Sequence, residues 1–292
     1  ESEIWPNTLL ALDQRAIPTV VVNGRLSNSS MNLWQLFPAT ARTLFGTLRL
    51  AVSQTQEFAN RFLFLGTPNA FSAPNLKFSA QPLPVNSTDL KNLRTQIGDR
   101  PVWLAASTHD GEEEIALSVH RAGRRSLPDL LTIIVPRHPT RRSEIAKLFH
   151  CEDIGLAWRS SGDPVMKETD IYIADTFGEL GLFFNLSSVV FMGKSLTAQG
   201  GQNPVEAAHF DCAILFGEYM SNFEDVAKIM VEGGMAEQVA NSEDLQRAVI
   251  LLLNEDKKRE EMASSARELV SVGNNSVDET FAAIRPLLDE SI

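Results

Sequence analysis

The sequence predicts an α/β fold of parallel sheets in two parts, and three observations carry that prediction. Short apolar runs alternate with helix-like segments along most of the 292 residues, and strands joined by helical crossovers run parallel. Residues 66–90, with Pro68, Pro74, Pro82 and Pro84 among several Ser and Asn, interrupt the rhythm as a connector would. Three loops, Pro136-Arg137-His138, Thr176-Phe177-Gly178-Glu179 and Gly200-Gly201-Gln202-Asn203-Pro204-Val205-Glu206, each follow an apolar run, and two of them open a helix.

In the first half, Thr19-Val20-Val21-Val22 and Leu48-Arg49-Leu50-Ala51-Val52 read as short buried strands, and Glu57 to Leu65 as a helix. After the connector the rhythm restarts with the strand Val102-Trp103-Leu104-Ala105-Ala106 and a helix from Glu112. Leu130 to Val135 and a helix from Arg141 follow, then Ile154 to Trp158, Ile171-Tyr172-Ile173 and a helix from Glu179. Val189 to Met192, a helix from Pro204 and Ala213 to Phe216 complete the series. The end is helical from Ser242, where Leu245, Val249, Leu252 and Leu253 keep helical spacing between charged residues.

A net charge of −11 and a pI near 5.0 exclude a general nucleic-acid binder, which needs a basic face to neutralise phosphates. They also exclude electrostatic anchoring of this chain on an anionic membrane. Cys151 and Cys212 offer no disulfide framework. The longest apolar stretch, Leu180 to Met192, is too short to span a bilayer and is broken by Asn185, Ser187 and Ser188. The chain starts at Glu1 without a methionine and without a signal peptide, so a missing N-terminal portion is expected.

Loops at the carboxyl ends of parallel strands are where open sheets bind phosphorylated ligands, and three in order point to an activated sugar. Arg137 offers a fixed fork of donors to a phosphate. Thr176 and Glu179 have capping-box spacing, and the same geometry presents backbone N–H groups to an anion. Gly178 permits a close approach to the backbone. Asn203 suits an N-cap, Pro204 the first helical position and Glu206 the third; the Glu206 carboxylate can instead accept from ribose hydroxyls. The five histidines lack metal-ligand spacing, and neither GxGxxG nor a Walker A pattern occurs. The run Asp110-Gly111-Glu112-Glu113-Glu114 reads as a solvated helix start, with carboxylates at the positive end.

Taken together, these motifs resemble the 3-deoxy-D-manno-octulosonic acid (Kdo) transferases. The resemblance runs through Glu1-Ser2-Glu3-Ile4-Trp5-Pro6-Asn7, Asn23-Gly24-Arg25-Leu26-Ser27, Asn75-Leu76-Lys77-Phe78 and Ala106-Ser107-Thr108-His109-Asp110-Gly111-Glu112-Glu113. It continues through Val135-Pro136-Arg137-His138-Pro139, Asp175-Thr176-Phe177-Gly178-Glu179-Leu180 and Gly200 to Glu206.

The resemblance implies a GT-B type glycosyltransferase with two Rossmann-like domains. Residues 1–85 would be the remnant of the acceptor-binding domain and the connector, 86–275 the CMP-Kdo donor domain and 276–292 a C-terminal helix. It further implies an inverting, metal-independent transfer of Kdo from CMP-Kdo to the lipid A precursor, lipid IVA, with no cofactor. Pro136, Arg137, Phe177, Gly178, Glu179, Asn203, Pro204, Val205 and Glu206 fall at donor-binding positions. Glu1 and Lys77 fall at positions that stabilise the transition state. The family's general base, an earlier glutamate, has no counterpart here, so this chain alone is expected to bind donor and transfer little Kdo. The family acts at the cytoplasmic face of the inner membrane, which it contacts through its N-terminal part.

Three elements depart from the family pattern: Gln202 where histidine is usual, Gly193-Lys194-Ser195 for Gly-Gly-Ser, and Asn23-Gly24-Arg25 for Asn-Ala-Arg. Two other readings stay open at this point, a sugar-nucleotide epimerase of similar fold and a non-catalytic nucleotide-binding relative.

Overall fold

The computed structural model describes residues 4–73, 75–79, 81–150, 153–197 and 200–289. The chain divides into two compact units, Glu1–Ala80 with Val270–Ile292, and Gln81–Leu269.

In the first unit, β1 (Thr19–Gly24), β2 (Leu48–Ser53) and β3 (Ala70–Ser72) form a parallel sheet in that order. Phe45, Leu48, Phe62 and Leu65 pack on one face of it, with Trp34 edge-on to Phe45 at 5.3 Å between ring centroids. On the other face, Leu50, Val52 and Ala73 meet Ala283, Ile284 and Leu287. Helix Gln56–Leu65 starts where Thr55 accepts the Phe58 N–H at 3.2 Å and ends at Gly66, as its sequence predicts. The residues expected as a connector hold more than loop: β3, a 3-10 turn at Leu76–Phe78, and a helix Ser87–Ile97 capped by Asn86. A strand of three residues carries too little periodicity to be seen among prolines.

In the second unit, β4 (Val102–Thr108), β5 (Leu131–Pro136), β6 (Leu156–Trp158), β7 (Ile171–Ile173), β8 (Val189–Met192), β9 (Ala213–Phe216) and β10 (Ala236–Gln238) form one parallel sheet. Its order is β10-β9-β8-β4-β5-β7-β6. Strands β4, β5, β7, β8 and β9 are buried along their whole length, which is why they read as unbroken apolar runs rather than alternating ones. The chain builds outward from β4 through β5 to β6 and β7, then returns past β4 to lay down β8. The direction therefore reverses between β4 and β8, and open sheets of this kind bind ligands outside the carboxyl ends of strands at such a point.

The α/β class expected from the sequence is present. Boundaries differ in three places. The helix expected from Pro204 is a 3-10 helix, Pro204–His209. The helix expected from about Arg141 starts at Arg142, after a 3-10 turn Pro139–Arg141 that the sequence did not show. The expected separate helix at 276–292 is, up to Asp289, the end of one long helix Asp256–Asp289. Among the described residues no helix is long and apolar enough to cross a membrane.

Candidate functional site

The β4 loop is built around two buried carboxylates. Glu112 opens helix Glu112–Gly123, and its carboxylate accepts the backbone N–H groups of His109 (2.9 Å), Lys194 (2.7 Å), Ser195 (3.0 Å) and Leu196 (3.2 Å). One side chain thus laces the β4 loop to the β8 loop at the switch point. Glu113 accepts from Thr108 Oγ1 at 2.8 Å and from Arg141 Nη1 at 2.7 Å. Burial pushes the Glu113 carboxyl up, and the Thr108 and Arg141 hydrogen bonds pull it back. The expectation of a solvated helix start is therefore wrong for Glu112 and Glu113, both 1% exposed. A run of acids resembles a surface in sequence, because most of the donors that satisfy it, on Lys194, Ser195, Leu196 and Arg141, sit on other loops.

The β5 loop presents Arg137 and His138 to solvent, after a Pro136 that is buried at the strand end. The Arg137 backbone N–H donates to the Thr108 carbonyl at 3.0 Å, fixing this loop to β4. His138 lies edge-on to His109, ring centroids 5.9 Å apart. Burial lowers the His109 pKa; Glu112 opposes this, while Lys194, His138 and Arg141 add to it.

The β7 loop departs from the expected capping box. Glu179 occupies the N-cap position of helix Leu180–Leu186 and makes no side-chain cap bond. Its carboxylate instead takes Arg159 Nη2 at 2.6 Å and Nε at 3.2 Å, and accepts from the Thr176 hydroxyl. The Arg159 hydrogen bond holds the Glu179 carboxyl below its usual range. The guanidinium outcompetes a single backbone N–H, and Gly178 at φ 79° turns the chain out of helical geometry. Asp175 anchors the loop below, accepting Ser160 N at 2.9 Å and Arg142 Nη1 at 2.9 Å. Phe177 at the tip is 74% exposed. Beside it, a β-carbon added at Gly178 would meet nothing within 4 Å, so a ligand can approach this backbone freely.

The β8 loop closes the site. At Gly201 (φ 70°) a β-carbon would stand 2.4 Å from Met220 Sδ, so only glycine fits the turn. Asn203 caps as expected, accepting the Val205 N–H at 3.2 Å, and Pro204 and Val205 are buried. Glu206 is half-buried, and among the described residues no donor reaches its carboxylate. Burial pushes the Glu206 carboxyl up and Arg137 pulls it down, which places these two side chains within each other's field.

Of the residues singled out in sequence, Arg137 carries a charge that reaches the Glu206 carboxyl, Pro136, Pro204 and Val205 are buried, and Asn203 caps its turn. Glu179 faces Arg159, leaving Phe177 and Gly178 open. Lys77 lies in the Leu76–Phe78 turn, whose Leu76 N–H donates to Asn23 Oδ1 at 3.2 Å; the Lys77 side chain, like Glu1, lies outside the described residues. Sequence reasoning missed Arg141, Arg142 and Arg159, which clamp the loops, and gave Asp175, though it opens a quoted motif, no role; the short spacing of Arg141 and Arg142 after Pro136-Arg137-His138 was the available signal.

A family model described as 3-Deoxy-D-manno-octulosonic-acid transferase (kdotransferase) matches residues 1–80. The 3-deoxy-D-manno-octulosonic acid transferase of Haemophilus influenzae is 32% identical over 296 residues, which cover 100% of this chain and 69% of that protein. The Rickettsia felis transferase is 33% identical over 290 residues, 99% of this chain and 62% of that protein. The crystal structure of the C-terminal CMP-Kdo binding domain of WaaA from Acinetobacter baumannii superposes with a TM-score of 0.60 at 27% identity, covering 63% of this chain and 96% of that one.

Proposed function

The chain belongs to the Kdo transferase family, its fold is of the GT-B type, and on that premise we propose that residues 81–269 hold the CMP-Kdo donor of a lipopolysaccharide glycosyltransferase. One observation carries the proposal: Arg137 and Glu206, from loops at the ends of β5 and β8, lie within each other's field beside the switch point. An exposed guanidinium suits a phosphate, and a half-buried carboxylate with no donor among the described residues suits ribose hydroxyls. The solved domain of WaaA, which binds CMP-Kdo, supports the same assignment.

In the reaction, an acceptor hydroxyl oxygen bonds to the anomeric carbon of Kdo as the bond from that carbon to the phosphate oxygen breaks. The electron pair leaves on CMP, and the hydroxyl proton passes to a base. Negative charge grows on the departing phosphate, where the Arg137 fork already stands. The expected helix-dipole contribution is small at both loops, because one helix has seven residues and the other is 3-10. Arg137 therefore carries the phosphate charge, Phe177 and Gly178 border the nucleotide, and Pro136, Asn203, Pro204 and Val205 fix the loops. Glu179 acts by holding its loop through Arg159. The roles of Glu1 and Lys77 in stabilising the transition state, lipid IVA as acceptor, inversion, metal independence and action at the inner membrane's cytoplasmic face rest on the family resemblance.

A thermal-shift comparison tests the proposal. A nucleotide that binds only the folded state raises its melting temperature. CMP is expected to raise it and UMP to do so much less; a folded chain indifferent to CMP contradicts the proposal.

A further inference from the structure

Lys194 occupies a backbone conformation that lysine has no local reason to adopt. Its φ is 58°, a left-handed geometry that a non-glycine side chain disfavours. The turn is locked on both sides: its N–H is held by Glu112 at 2.7 Å, and its carbonyl accepts the Gly201 N–H at 2.8 Å. The side chain leaves this turn toward the glycine loop, where a β-carbon added at Gly200 would stand 3.4 Å from Lys194 Cε and 3.4 Å from Nζ. The Glu112 carboxylate that holds its N–H is already filled by backbone donors, and among the described residues no carboxylate pairs with the Lys194 ammonium.

The result is a cation with no carboxylate partner among the described residues, on a fixed mount at the switch point of a chain whose net charge is −11. Arg137 is a second exposed cation, on β5, and β4 alone separates β5 from β8. Two strand spacings place the two mounts about 10 Å apart, close enough for both long side chains to converge on a ligand with two neighbouring anionic groups. Resting on the proposed donor site, we infer that Lys194 is a specificity-determining residue that contacts the carboxylate of an acidic nucleotide sugar, while Arg137 serves its phosphate. CMP offers only the phosphate; the sugar acid adds the second charge that Lys194 reads.

The test is calorimetric titration of the chain with CMP and with CMP-Kdo, for wild type, Lys194→Met, Lys194→Gly and Lys194→Arg. A charge-assisted hydrogen bond makes CMP-Kdo bind about tenfold more tightly than CMP. Met and Gly are expected to abolish that preference while leaving CMP affinity within about twofold, and Arg to retain part of it. Lys194→Gly relieves the left-handed backbone, so its melting temperature should not fall, and lost preference in it is not a loss of fold. If wild type shows no preference, or Lys194→Met keeps it, or CMP affinity falls as far as CMP-Kdo affinity, the inference is overturned and the donor site stands. A wild type that binds neither ligand overturns both.

Discussion

The carboxylate of Glu112, buried at a helix start, accepts the backbone N–H of Lys194 at 2.7 Å across 82 residues of sequence. Because the same carboxylate also takes His109, Ser195 and Leu196, it sets the spacing of the β4 and β8 loops. Glu112→Ala leaves these N–H groups without a partner, at about 1–3 kcal/mol for each that stays dry. The expected loss in urea unfolding is at least about 3 kcal/mol; a loss of under about 1 kcal/mol would mean that water replaces the carboxylate freely.

Phe177 separates binding from stability. Its ring is 74% exposed, so Phe177→Ala should change unfolding free energy by less than about 0.5 kcal/mol. If the ring borders the nucleotide, CMP affinity falls about fivefold or more, since stacking on a base contributes about 1–3 kcal/mol. Unchanged affinity would remove Phe177 from the site.

His120 links stability to pH. Its Nδ1 bonds Thr132 Oγ1 at 2.8 Å, Trp103 Nε1 donates to the same hydroxyl at 2.7 Å, and burial pushes the imidazole down to about 4 from 6.5. Asp170 raises that value, while Arg124, Arg100 and Arg121 lower it. The folded state then binds fewer protons than the unfolded state between those values, so stability is whole above pH 6.5 and falls on acidification toward pH 4. Between pH 7 and pH 5 the loss should be about 2 kcal/mol. His120→Asn, which keeps an acceptor for Thr132, should flatten this part of the urea-midpoint profile; an unchanged slope places the dependence elsewhere.

The Glu206 carboxyl is pushed up by burial and restrained by Arg137. A ribose contact that needs the carboxylate is therefore lost on acidification earlier than for an ordinary glutamate. Replacing Arg137 with Gln should move the midpoint of that loss to still higher pH, read from CMP affinity against pH. A midpoint unmoved by the replacement would show that the two side chains do not share a field in solution.

The main sheet was legible in the sequence because its central strands are buried on both faces and so spell apolar runs such as Leu131 to Val135. The strands β3 and β10, three residues each, were not legible, because so short a stretch carries no period. Arg137 and Glu206 were legible as types at strand ends; that the Arg137 charge reaches the Glu206 carboxyl depends on the strand order, which no local pattern encodes. Glu112 and Glu113 were misread for the same reason: beside the local donors His109 and Thr108, they take donors from Lys194, Ser195, Leu196 and Arg141, far off in sequence.

We propose Arg137 and Glu206 as the two poles of a cytidine-nucleotide site. Calorimetric titration of the chain with CMP, set beside Arg137→Ala, Glu206→Ala and a UMP control, tests it most directly. CMP binding that each substitution weakens about tenfold or more, with UMP bound much less tightly, is the result predicted. Full CMP affinity in both folded variants would contradict it.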